Sequence, residues 1–429
     1  MGDRVSDASI YLVTNQEFED LPEVIHRPLM LQGFTGDMGQ VAVITHPDMT
    51  IFLGVGHSMT PRAVMRAMPR AISHLTKGTS VAVRGNVSGV IGLAHILLNS
   101  AGLSLEMLEE RDRTVSSALS RARMWTNASG FDLNPDAFVD VATIIAAEND
   151  LDITVRRLGD LISDGFGGIV SVGQASQYQP CLIDLRYSPD APHARVTLVG
   201  KGITFDTGGL SMKRPDQMMG MRMDKAGAAV VLAVTSAAAA LQLPVEVRAL
   251  LPIAENMVGP LATRPGDVVT ARNGFNIQVM DTDFEGRVVM ADAIAFAAEE
   301  KPDIIIDIAT LTYQVAVALG DEIAGLFSNS DDVAQRLLDA GSRVGEAAWR
   351  LPLADEYRRQ VVTTAGVKNH PENDVGRAIS AALFLQEFVP PGTKWAHFDC
   401  TGPAWVGQSS SDGATGYGVL TLVSFLEQL

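Results

Sequence analysis

Val196-Thr-Leu-Val-Gly-Lys-Gly-Ile-Thr-Phe-Asp-Thr-Gly-Gly209 is an apolar strand that runs directly into a turn carrying Lys201 and Asp206 among four glycines. Open α/β sheets bind ligands beyond the carboxyl ends of their strands, where loops leave the sheet. Two further segments have the same character, Met223-Asp-Lys-Ala-Gly-Ala-Ala and Asp281-Thr-Asp-Phe-Glu-Gly-Arg. With Lys213, they put Lys201, Asp206, Asp224, Asp283, Glu285 and Arg287 within 87 positions. Many of these lie beside glycines, which let the backbone turn sharply.

Outward from this block the pattern is strand alternating with helix. Strands are predicted at 168–172, 180–187, 195–200, 245–253, 276–281, 303–309 and 394–399, and helices at 136–149, 225–242, 287–300 and 378–388. That alternation implies a mainly parallel or mixed sheet covered on both faces by helices. Short apolar runs at 10–13, 41–44, 51–55 and 81–83 alternate with helical segments at 61–75 and 89–98, which makes a smaller α/β domain. A charged helix over 105–124, broken by Asn127-Ala-Ser-Gly, marks the boundary. The expected organisation is a non-catalytic N-terminal domain over 1–112, a linking helix and loop over 113–134, and a catalytic domain over 135–429.

Composition narrows the function classes. A formal charge of −17, from 33 basic and 50 acidic side chains, opposes non-specific binding to nucleic acid or anionic membrane. Cys181 and Cys400 sit in apolar segments, so a disulfide framework is not expected. The first residues lack the apolar core of a secretory signal, and the expectation is a cytoplasmic protein. Residues 226–245 carry no charge over twenty positions, but their alanine-rich make-up, with Thr235, Ser236, Gln242 and Pro244, predicts a buried core helix rather than a membrane span. His26, His46, His57, His74 and His95 show no i,i+4 metal spacing and are read as ordinary surface or core residues.

The block 196–326 has no histidine or cysteine, so its available ligands are carboxylates, carbonyls and lysine nitrogen. Such sites suit Mg²⁺ and Mn²⁺, and zinc accepts carboxylates too in hydrolytic centres. Several acids packed together favour two divalent ions over one. Asp283 and Glu285, two apart, would point the same way on an extended segment. Lys201 could bind metal only when neutral, and on spacing alone an ion-pair role is the more frequent one. A structural salt-bridge network at the sheet rim stays open as the alternative. No P-loop, H-E-x-x-H or G-x-S-x-G pattern is present.

These three segments, with Ala309-Thr-Leu-Thr and Ala414-Thr-Gly-Tyr-Gly-Val, resemble those of the leucyl (cytosol) aminopeptidase family over roughly residue 123 to the C-terminus. The resemblance implies a two-metal exopeptidase acting on peptides with a free N-terminus, behind an N-terminal domain of macro-like fold. It implies that Lys201, Asp206, Asp224 and Glu285 hold one ion and Asp206, Asp283 and Glu285 the other, as Zn²⁺ or Mn²⁺, with Mg²⁺ also compatible. It further implies that Lys213 polarises the scissile carbonyl, that Arg287 holds a bicarbonate serving as general base, and that Met221, Thr310 and Leu311 contact substrate. A homohexamer is implied as well. The chain departs from the family pattern at Asp281 (usually asparagine), Phe284 (alanine), Lys225 (uncharged) and Tyr313 (glycine), which bears on the preferred N-terminal residue. The competing class is an altered family member acting as an oligomeric binding or scaffolding protein, DNA contact included.

Overall fold

The computed structural model describes residues 7–45, 49–84, 89–105, 108–407 and 413–429. His46, Glu106 and Met107 lie outside them. Contacts divide the chain into two units, one comprising Met1–Ser120 with Ala340–Ala347, the other Arg121–Asp339 with Ala348–Leu429.

The smaller unit is a five-stranded sheet of β1 (Ala8–Thr14), β2 (Val41–Ile44), β3 (Met49–Gly56), β4 (Ser80–Arg84) and β5 (Ser104–Leu105), in the order β2-β3-β1-β4-β5. Successive side chains of a strand face opposite sides, and both sides are apolar here. Ile10, Leu12, Ile51 and Leu53 pack with Val64, Ala67, Met68 and Ala71 of the helix Pro61–Ile72. Val13 and Phe52 pack on the other side with Phe18, Leu29 and Phe34. The helix Pro61–Ile72 starts where Thr60 Oγ1 accepts the Ala63 N–H at 3.2 Å, with proline at its first position.

The larger unit is built on nine strands. They are β6 (Asp152–Arg156), β7 (Cys181–Tyr187), β8 (Arg195–Gly200), β9 (Gly202–Asp206) and β10 (Glu246–Asn256), and, after the short β11 (Val268–Thr270) and β12 (Asn276–Gln278), β13 (Ile304–Ala309), β14 (Ile323–Ser328) and β15 (Ala347–Arg350). The short β16 (Val362–Thr363) and β17 (Gly366–Lys368) precede β18 (Lys394–Asp399). The order is β15-β14-β18-β13-β8-β10-β7-β6, with β9 paired to β10. The pairs β8·β10, β8·β13 and β13·β18 are parallel, whereas β7·β10, β6·β7 and β14·β18 are antiparallel. In the parallel core Gly200 lies opposite Ile308, and Ala309 opposite Asp399. Lys201, Thr310 and Asp399 are thereby brought to one edge.

Helices cover the sheet. Ala226–Ala240 is buried from Ala226 to Ala239, and Glu285–Glu299 anchors the main core cluster. The segment Met221–Ala240 is long and apolar enough to cross a membrane, but 83% of its window is buried inside the protein, the state expected of a core helix. Gly227 shows how closely this helix approaches the sheet. A Cβ there would lie 2.2 Å from the Ile308 carbonyl oxygen and 2.8 Å from the Lys201 nitrogen, so no larger residue fits without moving backbone.

Three expectations are corrected. Residues 168–172 form no strand but belong to the helix Gly167–Gly173. Its start is fixed by the buried Asp292, whose carboxylate accepts the Ile169 N–H at 2.9 Å, and Gly167 sits against the Thr270 carbonyl. An apolar run of five is ambiguous by periodicity, and tertiary packing decided it. The strand expected at 276–281 ends at Gln278 and belongs to a separate four-stranded sheet, β11-β12-β17-β16, so the 281–287 cluster does not leave the central sheet. Asp283 lies in a turn and Glu285 opens the helix Glu285–Glu299, so the two are not on an extended segment.

Candidate metal centre

Most of the charged groups are held in place by backbone, amide or hydroxyl contacts. Lys201 bridges the end of β8 to its surroundings: its N–H donates to Ile308 O at 3.1 Å and its carbonyl accepts from Ala228 N at 2.8 Å. Its ammonium donates to Asp224 Oδ1 at 2.8 Å and to the Thr310 carbonyl at 3.0 Å, and lies 3.0 Å from Glu285 Oε1. Asp224 ends up there because the 3₁₀ turn Met221–Lys225 reverses the chain, and the Thr310 hydroxyl donates to Asp224 Oδ1 at 2.7 Å.

Asp206 closes β9. Its Oδ1 accepts Gly208 N–H at 2.8 Å and the Asn256 amide at 2.7 Å, while its Oδ2 lies 2.8 Å from Lys213 Nζ. Gly208 and Gly209, at φ +86° and +63°, turn the chain so that Lys213 returns to the cluster and pairs with Asp283 as well. Asp283 is set by its neighbour: Asp281 Oδ1 accepts the Asp283 N–H at 2.9 Å, an acceptor role that aspartate and asparagine share. Asn369, fully buried, accepts Met280 N–H at 2.8 Å and donates to Asp281 O at 2.6 Å, fixing the start of that turn.

The structure brings Lys201, Asp206, Lys213, Asp224, Asp283 and Glu285 together. Carboxylate oxygens of Asp206, Asp283 and Glu285 lie within 4.8 Å of one another. They open on a cleft of about 170 Å³ that Met221, Arg287, Thr310 and Leu311 also line, and a larger cavity of about 670 Å³ shares Lys213, Met221, Asp283, Arg287 and Leu311 with it. Arg287 is 1% exposed, and its Nη1 has no hydrogen-bond partner. Thr310 has a second function beside lining the cleft, since its hydroxyl and carbonyl are both bonded into the cluster. His26, His57, His74 and His95 take no part in the acidic group.

The electrostatics describe a site with surplus negative charge. Two ammoniums face four carboxylates in this buried cluster. Burial, and then the Glu285 charge, push the Asp206 carboxyl well above the usual carboxylate range and raise Asp283 to about 6. Burial acts the same way on Glu285, but Lys201 and Lys213 outweigh it and hold that group low. Burial also opposes the charge on both lysines, yet the surrounding acids keep them protonated above the ordinary lysine range. The neutral Lys201 anticipated for a metal ligand is therefore not the form favoured without cations. Burial lowers Arg287 to about 10. The donor set fits cations: Asp224 Oδ2 and Glu285 Oε2 are buried carboxylate oxygens without a partner, which is costly unless a positive centre meets them.

Four supporting residues escaped the sequence reading. Asn256 lies at the carboxyl end of a long apolar strand, where a polar residue signals a site; its amide also donates to Thr282 O at 3.1 Å. Asn369 and Thr282 sit in loops with no periodic signal. Asp399 accepts the Thr312 hydroxyl at 2.6 Å and the Leu311 N–H at 3.3 Å, fixing the wall of the cleft. The unusual Lys225 is buried, and its ammonium donates to the Ala128 and Arg222 carbonyls at 2.7 and 2.8 Å, so it ties down the turn carrying Asp224.

A mixed α/β sheet whose strand edge carries oxygen ligands and lysines around a cleft is the build of a metal-dependent hydrolase. The model of the cytosol aminopeptidase family, catalytic domain, matches residues 120–423, and the chain belongs to that family. A probable cytosol aminopeptidase of Chlorobaculum tepidum is 39% identical over 343 residues, covering 78% of this chain and 68% of the relative. One from Syntrophotalea carbinolica is 41% identical over 324 residues, covering 74% and 65%. The chain thus spans about two thirds of the length of these curated relatives. The solved structure of the bottromycin maturation enzyme BotP in complex with Mn is similar at a TM-score of 0.87 and 31% identity, over 99% of both chains.

Proposed function

We propose that the protein is a metal-dependent aminopeptidase that hydrolyses the first peptide bond of peptides with a free N-terminus, using two divalent ions. The observation that carries this reading is the convergence of the buried carboxylates of Asp206, Asp224 and Glu285 and the half-buried one of Asp283 with two lysines, in which Asp224 Oδ2 and Glu285 Oε2 are unpartnered. Lys201, Asp206, Asp224 and Glu285 would hold one ion and Asp206, Asp283 and Glu285 the other. Bound there, Zn²⁺ or Mn²⁺ would supply Lewis acidity and a water activated near neutral pH.

The side chains account for the rest. Asp224 pairs with the substrate's α-ammonium group, which fixes the first peptide bond over the cluster. Lys213, in the cleft, donates to the scissile carbonyl oxygen as charge develops on it. Arg287, buried and with its Nη1 lacking a hydrogen-bond partner, would hold a bicarbonate that acts as general base. Met221 and Leu311 wall the pocket. The catalytic groups all belong to the larger unit, and we assign the smaller one no part in the chemistry.

Release of the N-terminal amino acid from unblocked peptides, assayed with Mn²⁺ or Zn²⁺ and again after exhaustive chelation, tests the proposal. Turnover is expected to vanish on chelation and return on reloading; turnover indifferent to chelation would reject a metal-dependent mechanism. We also propose a homohexamer, on the family resemblance. Light scattering at micromolar concentration is expected to give about six times the chain mass of 45.7 kDa. A monomeric mass would refute it.

A further inference from the structure

Besides Arg287, the larger cavity next to the cluster is lined by two arginines that the chemistry above does not use, Arg214, which pairs with Asp216, and Arg377. Arg377 opens the helix Arg377–Gln386 and lines that cavity with Arg287 and Phe284. Its guanidinium carbon lies 5.7 Å from the centre of the Phe284 ring, and that of Arg287 lies 4.8 Å from the same ring. Phe284 is one of the chain's departures from the family pattern, where alanine is usual. His370 packs edge-on against the ring, with centroids 4.5 Å apart, and its Nε2 lies 3.4 Å from Arg377 Nη2. An aromatic face holds a guanidinium by stacking and leaves its in-plane N–H groups free to meet an acceptor.

Those N–H groups are not used up within the protein. Arg377 Nε is buried and has no hydrogen-bond partner, as is Arg287 Nη1. The ion pair that Arg377 does make is with Asp374, three residues away and 85% exposed, and an exposed pair of that kind contributes little. The acids lining the cavity are engaged elsewhere, Asp283 with Lys213 and Asp216 with Arg214. Two cations share one ring, Arg287 within reach of the Glu285, Asp399 and Asp281 charges and Arg377 beside the exposed Asp374. This is the electrostatic outline of an anion site whose acceptor comes from outside the chain.

We propose that Arg377, stacked on Phe284, is a specificity-determining residue that receives a carboxylate of the peptide substrate beyond the scissile bond. The inference rests on the aminopeptidase reading and extends it to a substrate class. Two parts of a peptide carry this chemistry, the free C-terminus of a very short peptide and an acidic side chain following the cleaved residue. A planar guanidinium recognises either by a paired hydrogen bond, and an amide of the same shape offers only one acceptor. Arg377 touches no proposed ligand, so its removal leaves the reacting groups in place.

The test uses the full-length, metal-loaded protein and its Arg377→Gln variant. Steady-state kinetics compare dipeptides with free C-termini against their C-terminal amides, and amidated dipeptides with Asp against Asn in the second position. Wild type is expected to favour one carboxylate arm by about tenfold or more in kcat/KM, mainly through KM, and that arm identifies the source. Arg377→Gln is expected to erase the preference while cleaving the neutral amides at the wild-type rate, which also reports an intact fold; Arg377→Lys retains part of it. Calorimetric titration with a reduced-bond dipeptide and its amide reads the same preference without turnover. A wild type without preference in either arm, or a variant that keeps it, overturns the proposal. Binding discrimination without cleavage would instead sustain the subsite and reject the aminopeptidase reading.

Discussion

Glu285→Gln is expected to lower kcat by more than about a hundredfold, since even groups standing behind a metal ligand are worth 10–100-fold. Stability of the metal-free protein is expected to move the other way or not at all. Glu285 is 3% exposed and lies 3.0 Å from the Lys201 ammonium, so its removal deletes an attractive contact. Burial raises Asp206, Asp224 and Asp283, and the Glu285 charge adds to it in each case. Removing one of four leaves three carboxylates to two lysines, a smaller surplus of negative charge, and keeps Lys201 paired with Asp224 at 2.8 Å. Calorimetric melting without metal should therefore show an unchanged or higher midpoint in the variant, and metal should stabilise wild type far more than Glu285→Gln. Equal turnover of the two proteins after chelation and reloading would exclude Glu285 as a ligand.

Opposite signs for activity and apo stability have a common origin in where the acids sit, and that placement was partly legible in the sequence. The strand over 195–200 and the glycines after it located Lys201 and Asp206 at a sheet edge, and β8 ends there. The uncharged stretch after Asp224 gave a buried helix, and Ala226–Ala240 is one. Those features are local: apolar runs, helix length and turn chemistry act within about ten residues. What is not local was missed. The helix Gly167–Gly173 depends on Asp292, more than a hundred residues away in sequence. The convergence of Asp283 and Glu285 was anticipated, but its cause was not, because it comes from a turn held by Asn369 and from the start of a helix rather than from strand alternation. Likewise Asn256 supports Asp206 across fifty positions, a contact that only the register of β9 on β10 creates. Lys225 read as a departure that touches the site; in the fold it is a structural ammonium on backbone carbonyls.

N-acetylation of the substrate is expected to abolish cleavage. In the proposed complex the α-ammonium group meets Asp224, whose Oδ2 is buried and unpartnered. An acetyl group removes that positive charge, so Asp224 keeps Lys201 at its Oδ1 but loses the contact that fixes the first peptide bond over the cluster. Loss of a charge-assisted hydrogen bond costs about 1.5–3 kcal/mol, and misplacement of the reacting bond about another hundredfold, so kcat/KM is expected to fall by roughly a thousandfold or more. Bulk acts in the same direction, because the cleft over the cluster measures about 170 Å³ and is walled by Met221 and Leu311. Matched free and acetylated peptides followed by mass spectrometry give the readout: a ladder of products losing one N-terminal residue at a time from the free peptide, and an intact acetylated peptide. Internal cuts in the acetylated peptide would show that the amine is not what positions the substrate, and an endopeptidase would replace the exopeptidase assignment.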